Sequence, residues 1–356
     1  MSSPATTPAT ANRLLGGSGH VPKHATWIAV AIAAAIVTAL LLLLGIFAWG
    51  FFAVGTMIVA SVGIYAWSRA VEDRRHAKDR VVTVSITSAF VLAMIPLVSL
   101  IWTVVSRGIN RFDVAFFTDT ARGVIGEGGG AAHAIWGTVI ITGIATLLSV
   151  PIGLMAAIYL NEYGGDSILR RALTFFVDVM TGIPSIVAGL FAYALFEIFF
   201  GPGIRLGVMG SVALMVLMVP IVIRSSEEIL KIVPNHLREA SYALGTPKWK
   251  TITKVVLPTA LAGLVTGIML AIARIIGETA PLLVTTGVTD SMNIDPFNGR
   301  MQNLAVYAFN EYKNPGVPPE PSIDRAWTAV LVLILIVMIL NLGARFVYRR
   351  YGTEIR

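Results

Sequence analysis

The stretch V-V-L-P-T-A-L-A-G-L-V-T-G-I-M-L-A-I-A-R-I-I-G-E-T-A-P-L-L-V-T-T-G-V, Val255 to Val288, decides the class of the chain: it runs for 34 residues with Arg274 and Glu278 as its only charges. A helix needs about 20 mostly apolar residues to cross the hydrocarbon of a bilayer, and 34 residues rise about 50 Å. The run is a membrane span with length to spare, and Gly277 and Pro281 mark where a kink or break should fall. The whole chain has the same character, with 56% apolar and 13% charged residues among 356 and a mean hydropathy of +0.77. Soluble domains carry about 25% charged residues. The expected fold class is an all-α polytopic membrane protein.

Outward from this stretch, seven more apolar runs follow the same rule: Thr26–Ile46, Phe47–Trp67, Val81–Val105, Ala134–Leu160, Ala172–Phe200, Leu206–Ile223 and Ala326–Leu342. Eight spans result. The first two are separated only by Gly45–Gly50, with Trp49 as an interfacial aromatic, and form a hairpin, because one bilayer cannot hide so long a single apolar helix. With the N-terminus in the cytoplasm, 19 of the 27 lysines and arginines fall inside, including Arg74, Arg75, Lys78, Arg80, Lys248, Lys250 and Lys254, against 7 outside. That bias predicts cytoplasmic N- and C-termini. The net charge of +7 then records membrane orientation, so nucleic acid is not an expected partner whereas membrane lipid is.

Several chemistries are excluded. The chain has no cysteine, hence no disulfide, thiolate metal site or cysteine nucleophile. Its five histidines have no metal-ligand spacing, and no Gly-Lys pair exists to build a phosphate-binding P-loop. Any nucleotide energy must come from another chain. Residues 1–25 are rich in Ser, Thr, Pro and Ala and are expected to be a disordered cytoplasmic tail, not a cleaved leader. The other expected segments are the hairpin over 26–67, a basic cytoplasmic loop over 68–80, a transmembrane core over 81–345 and a C-terminal tail over 346–356.

Three charges lie at apparent membrane depth: Asp178, Arg274 and Glu278. A charge at the bilayer centre costs roughly 2.5–3.5 kcal/mol on insertion scales and faces a cavity or a partner. Arg274 stands near the midpoint of its run, and Glu278, four residues on, shares its helix face. One reading is a structural ion pair. The other is an anion site in a broken helix, since a guanidinium is planar, always charged and matched to an oxyanion. Under that reading the pair is closed at rest, and Glu278 releases Arg274 when substrate arrives. Asp178 with Thr181, Gly182, Pro184 and Ser185 is a further lining candidate, although Gly-Ile-Pro also serves as a kink and packing device.

The largest internal polar segment, 224–258, predicts a short helix over His236–Leu244 with Leu237, Ala240 and Leu244 on one face, a stop at Gly245, and a second helix from about Trp249. An amphipathic helix lying on the lipid surface has the same pattern. Here a family resemblance emerges. Glu239-Ala240-Ser241, three residues, Gly245, nine residues, then Val255-x-Leu257-Pro258 resembles the EAA loop of ABC importer permeases, E-A-A-x3-G-x9-I-x-L-P, with Ser241 and Val255 as same-size departures. Leu270–Leu283 resembles the A-R-x-x-G-E-T-A-P-L-L segment of the PstA family, one of the two permease types of phosphate-specific ABC importers. Ala243–Ile252, Gly182–Val187 and the glycines before Ala134–Thr138 are also similar, so the resemblance covers roughly Val81–Arg345.

The resemblance implies a six-helix type I importer core with the N-terminal hairpin as an addition. It implies a permease with no catalytic residues and no cofactor of its own, ATP and magnesium being held by a separate ATPase dimer. A sister permease of the PstC type and a phosphate-binding protein complete the expected set of partners in the cell inner membrane. The implied substrate route carries Arg274, Glu278 and Thr279, with Asp178 and Ser185 as further candidates. The implied ATPase-coupling residues are Glu239, Ala240, Ser241, Gly245, Leu257 and Pro258. Another oxyanion such as sulfate, molybdate or phosphonate fits the same architecture. An autonomous channel or membrane enzyme is the competing class, and no catalytic constellation speaks for it.

Overall fold

A computed structural model describes residues 25–46, 48–71 and 74–351. The expected N-terminal tail and the end of the C-terminal tail lie outside the described residues. The chain divides into two compact units, residues 1–102 and 103–356. In the first, α1 (Ala25–Leu43) and α2 (Trp49–Val71) form the expected hairpin, turned at Gly45 with φ +67°. Ala29 and Ala33 of α1 pack on Ala60 and Ile64 of α2, small residues letting two apolar helices approach closely. Helix α3 (Arg74–Gly108) adds Val84 to this cluster, and the division between units falls within it. Residues 74–80 are thus helical, where a loop was expected: they hold good helix formers, neither Gly nor Pro, and Thr83 bonds back to the Asp79 carbonyl at 3.0 Å.

The second unit begins in α3 and continues with α4 (Val114–Thr118), α5 (Ala132–Ile158), α6 (Ile168–Thr181), α7 (Ser185–Phe200) and α8 (Gly207–Ile232). Then follow α9 (Asn235–Ala243), α10 (Lys248–Thr251), α11 (Leu257–Ile276), α12 (Ala280–Thr285), α13 (Leu304–Lys313) and α14 (Glu320–Tyr351). Helix α8 is the central post and the most buried span. Its Leu214, Met218 and Val222 pack with Ile141 and Ala145 of α5, Ala271 and Ile275 of α11 and Leu282 of α12. Helix α14 runs on to Tyr351, so a tail starting at residue 346 is not seen.

Among the described residues, seven helices are long and apolar enough to cross a membrane, and one bent pair makes an eighth. The Ala172–Phe200 run bends at the Gly-Ile-Pro read as a kink: α6 and α7 meet at 109°, because Gly182 ends α6 and Pro184 cannot continue it. The Val255–Val288 run is also broken, at the expected place, with α11 stopping at Gly277 and α12 starting after Thr279. Two π-helical turns, Tyr159–Tyr163 after α5 and Ile252–Val256 before α11, lie at the α9 end of the unit. The second precedes Pro258, which has no N–H to give the preceding turn.

Candidate functional site

The helix break is the first element of the site. Lys248–Ile276 is a continuous helical run, and Arg274 stands in its last turn. A cation there is favoured by the unpaired carbonyls of the helix end. Along the axis Arg274 is about 28 Å beyond Val255, near the end of the helix that carries it and away from α9.

The expected resting pair is absent. Among the described residues Arg274 makes neither an ion pair nor a side-chain hydrogen bond, and its side chain is exposed on the chain. The reason is local: Gly277 closes the helix with φ −86° and ψ 0°, so Glu278 leaves the helical path and the four-residue spacing no longer puts it over Arg274. Glu278 and Thr279 are half-buried, and the Thr279 hydroxyl only reaches back to the Gly277 carbonyl at 3.5 Å. Ser185 opens α7, which packs on α12 through Gly189. A Cβ on Gly189 would stand 2.7 Å from the Pro281 Cα. The structure therefore brings the first turns of α7 and α12 together beside the break.

Asp178 does not join them. It bonds Arg224 of α8, whose Nη1 donates to Glu227 at 2.9 Å, while Lys231 donates to the same carboxylate at 2.7 Å. The network ties α6 to the α9-side half of α8. Glu227, with a side chain 7% exposed, was missed in the sequence, although Arg224-x-x-Glu227-x-x-x-Lys231 has the three- and four-residue spacing of a helical ion-pair ladder.

The second element is the knuckle formed by α9, Gly245 and α10. Helix α9 ends in a Schellman motif: Thr246 N–H donates to Ser241 O at 3.2 Å and Gly245 N–H to Tyr242 O at 2.9 Å. Gly245 has φ +73°, a region that costs other residues strain. The Ser241 and Thr251 hydroxyls share a buried hydrogen bond at 2.8 Å that staples α9 to α10. Ser241 thus turns inward and holds the bend.

The outward surface carries Glu239, Ala240, Tyr242, Leu244 and Trp249, with Leu244 85% and Trp249 61% exposed. Glu239 has no partner among the described residues. The expected single apolar face of α9 is split. Leu237 packs against the buried cluster that contains Leu230, Val233 and Val256, whereas Leu244 is the exposed cap residue. Leu257 joins the same cluster, and Pro258 sits exposed at the start of α11.

One buried anchor was not foreseen. Arg238 of α9 donates through Nη2 and Nε to Glu162 Oε1 at 2.8 and 3.2 Å, and also to the Val233 and Leu230 carbonyls at 2.7 and 3.1 Å. The two side chains are 13% and 5% exposed. Glu162 belongs to the π turn that ends α5, and Lys248 lies over the neighbouring Tyr163 ring at 4.9 Å. Nothing in the sequence joins residues 162 and 238, since Arg238 reads there as one more basic residue on the inner face.

An all-helical membrane bundle with two broken helices and a rigid helix–glycine–helix knuckle is the fold of ABC transporter permeases. The chain of the inward-facing MetNI methionine ABC transporter aligns with a TM-score of 0.50 and 22% identity, covering 62% of this chain and 94% of that one. A bacterial alginate ABC transporter chain aligns with a TM-score of 0.56 and 11% identity, covering 78% and 96%. More particularly, residues 149–356 match the binding-protein-dependent transport system inner membrane component family, and the chain belongs to that family. Among curated relatives, the phosphate transport system permease protein PstA 1 of Mycobacterium tuberculosis (strain H37Rv) is 45% identical over 285 residues, 78% of this chain and 90% of that protein. The phosphate transport system permease protein PstA of Yersinia pestis is 39% identical over 280 residues, covering 78% and 92%.

Proposed function

We propose that the chain is one of two permease subunits of an ATP-driven importer that carries inorganic phosphate into the cytoplasm by alternating access. The observation that carries this reading is the unpartnered Arg274 guanidinium at a helix break inside a membrane bundle. A guanidinium in an apolar layer needs an aqueous cleft or a partner, and the described residues of this chain supply neither acid nor carbonyl. The missing wall is a sister permease, and the missing counter-charge is the travelling anion. The curated relatives' role in phosphate transport supports phosphate as that anion.

The knuckle faces the cytoplasm in this reading, with both termini on that side. An ATPase dimer docks on Glu239, Ala240, Leu244 and Trp249, and ATP and magnesium belong to that dimer. The chain itself performs no catalysis. A phosphate-binding protein delivers the anion at the opposite end. Motion imposed on the knuckle enters the bundle by two routes. One is the continuous helical run from Lys248 to Arg274, and the other is the Arg238–Glu162 link to the end of α5. Both move the break relative to the sister subunit and change the side to which Arg274 opens.

Phosphate uptake by vesicles holding the full assembly tests the proposal. Arg274→Ala should assemble and hydrolyse ATP but fail to transport, whereas Glu239→Ala should keep hydrolysis while losing its coupling to uptake. Normal uptake in both would remove this mechanism. A guanidinium fits any tetrahedral oxyanion, so competition by sulfate, molybdate and phosphonate in the same vesicles measures selectivity.

A further inference from the structure

At the end of the second unit opposite the knuckle, Arg205 and Arg300 line one open cavity of about 390 Å³ together with Phe200, Gly203, Ile204 and Phe297. No acidic residue lines it. The two arginine stems converge over Gly287, where a Cβ would stand 2.8 Å from Arg205 Cδ and 3.5 Å from Arg300 Cδ. Gly287 has φ +71°, so the close approach rests on a residue without a side chain. Neither arginine has an ion-pair partner among the described residues, whereas Arg111 and Arg325, at the same end, pair with Asp113 and Glu311.

Arg205 is held in place by the fold. Its Nη1 donates to the carbonyls of Leu283 (3.1 Å) and Val284, at the end of α12. That capping accounts for Nη1 and for the charge at a helix C-terminus. It leaves Nε and Nη2 with no hydrogen-bond partner among the described residues, and it does not account for Arg300. Two guanidiniums sharing a cavity without a carboxylate repel each other, and an anion between them reverses the sign of the interaction. A phosphate group matches both forks.

We propose that the cavity between Arg205 and Arg300 binds a phosphate group, either free orthophosphate or the headgroup of an anionic lipid. Its use as a waypoint for substrate rests on the function proposed above. Helix α12, about 9 Å long by its rise, runs from the Arg274 break to this cavity, so orthophosphate held here would stand one short helix outside the break.

The test uses the full-length chain in phosphate-free maltoside micelles, in an Arg274→Gln background so that the break contributes no binding. Radiolabelled orthophosphate is measured by equilibrium dialysis, and phosphatidylglycerol by native mass spectrometry of the same preparation. One of the two should bind, and which of them binds names the source. Arg300→Gln, which removes no side-chain hydrogen bond or ion pair among the described residues, should weaken that ligand about tenfold, the scale of one charge-assisted hydrogen bond. Arg205→Lys should retain more binding than Arg205→Gln. The inference is overturned if neither ligand binds, if Arg300→Gln binds as tightly as its parent, or if Arg122→Gln, elsewhere on the same end, causes an equal loss. The assay needs neither ATP nor transport. Binding here together with normal uptake by the assemblies carrying Arg274→Ala and Glu239→Ala would refute the proposed function and leave this site standing.

Discussion

The knuckle and the helix break lie at the two ends of one continuous helical run, and they are built on opposite plans. The inward polar groups of the knuckle find partners within the chain: Arg238 on Glu162, Ser241 on Thr251, and Thr246 on the Ser241 carbonyl. At the break, Arg274 has no partner among the described residues, and Glu278 is turned off the face that would have supplied one. Under the proposed function the knuckle is a lever that must be stiff before it is touched, and the break is a passage that must leave its charge for something that arrives.

The largest effect that could break this contrast is expected at the buried anchor. Removing one partner of a buried ion pair costs about 3–5 kcal/mol, because the other charge stays buried and unpaired. Glu162→Ala should therefore lower the thermal inactivation temperature of the purified chain sharply, and the exchange Glu162→Arg with Arg238→Glu should recover part of the loss. No loss would mean that the knuckle is not anchored through Arg238. A smaller effect is expected at the corner. Gly245→Ala forces a Cβ into a left-handed conformation at a cost of about 1–2 kcal/mol. It should raise the ATP hydrolysed per anion transported more than it lowers stability, since under the proposed function the corner sets the direction of the docking surface. The smallest is Glu278→Gln, with a change in thermal stability within about 0.5 kcal/mol. A larger destabilisation would restore a resting pair between Glu278 and Arg274.

How much of this was legible in the sequence follows the range of the interactions. Spans, hairpin, break and knuckle depend on residues a few positions apart, so Gly45, Gly277 and the Gly245–Thr246–Pro247 stop could be read directly. The Glu227 ladder is equally local, with Arg224 and Lys231 three and four residues away on the same helix. The Arg274–Glu278 spacing misled for a reason that Gly277 itself contains: a four-residue interval joins side chains only while the helix lasts. Asp178 reads as a membrane-depth charge from its place in an apolar run, and its partner Arg224 lies 46 residues away, beyond any local pattern. Arg238 and Glu162 meet across 76 residues, and no local pattern announces such a pair.

Since the chain contains no cysteine, one substitution gives a clean reporter at the centre of the account. Arg274→Cys in the assembled importer, in sealed vesicles, is treated with a charged, water-soluble thiol reagent during and between cycles of ATP hydrolysis. The account predicts labelling from one side at rest and from the other when ATP is bound, because the break lines an aqueous cleft whose opening alternates. A thiol at 274 that never reacts with the charged reagent, yet reacts with a lipid-soluble one, would place this position against acyl chains and contradict the account.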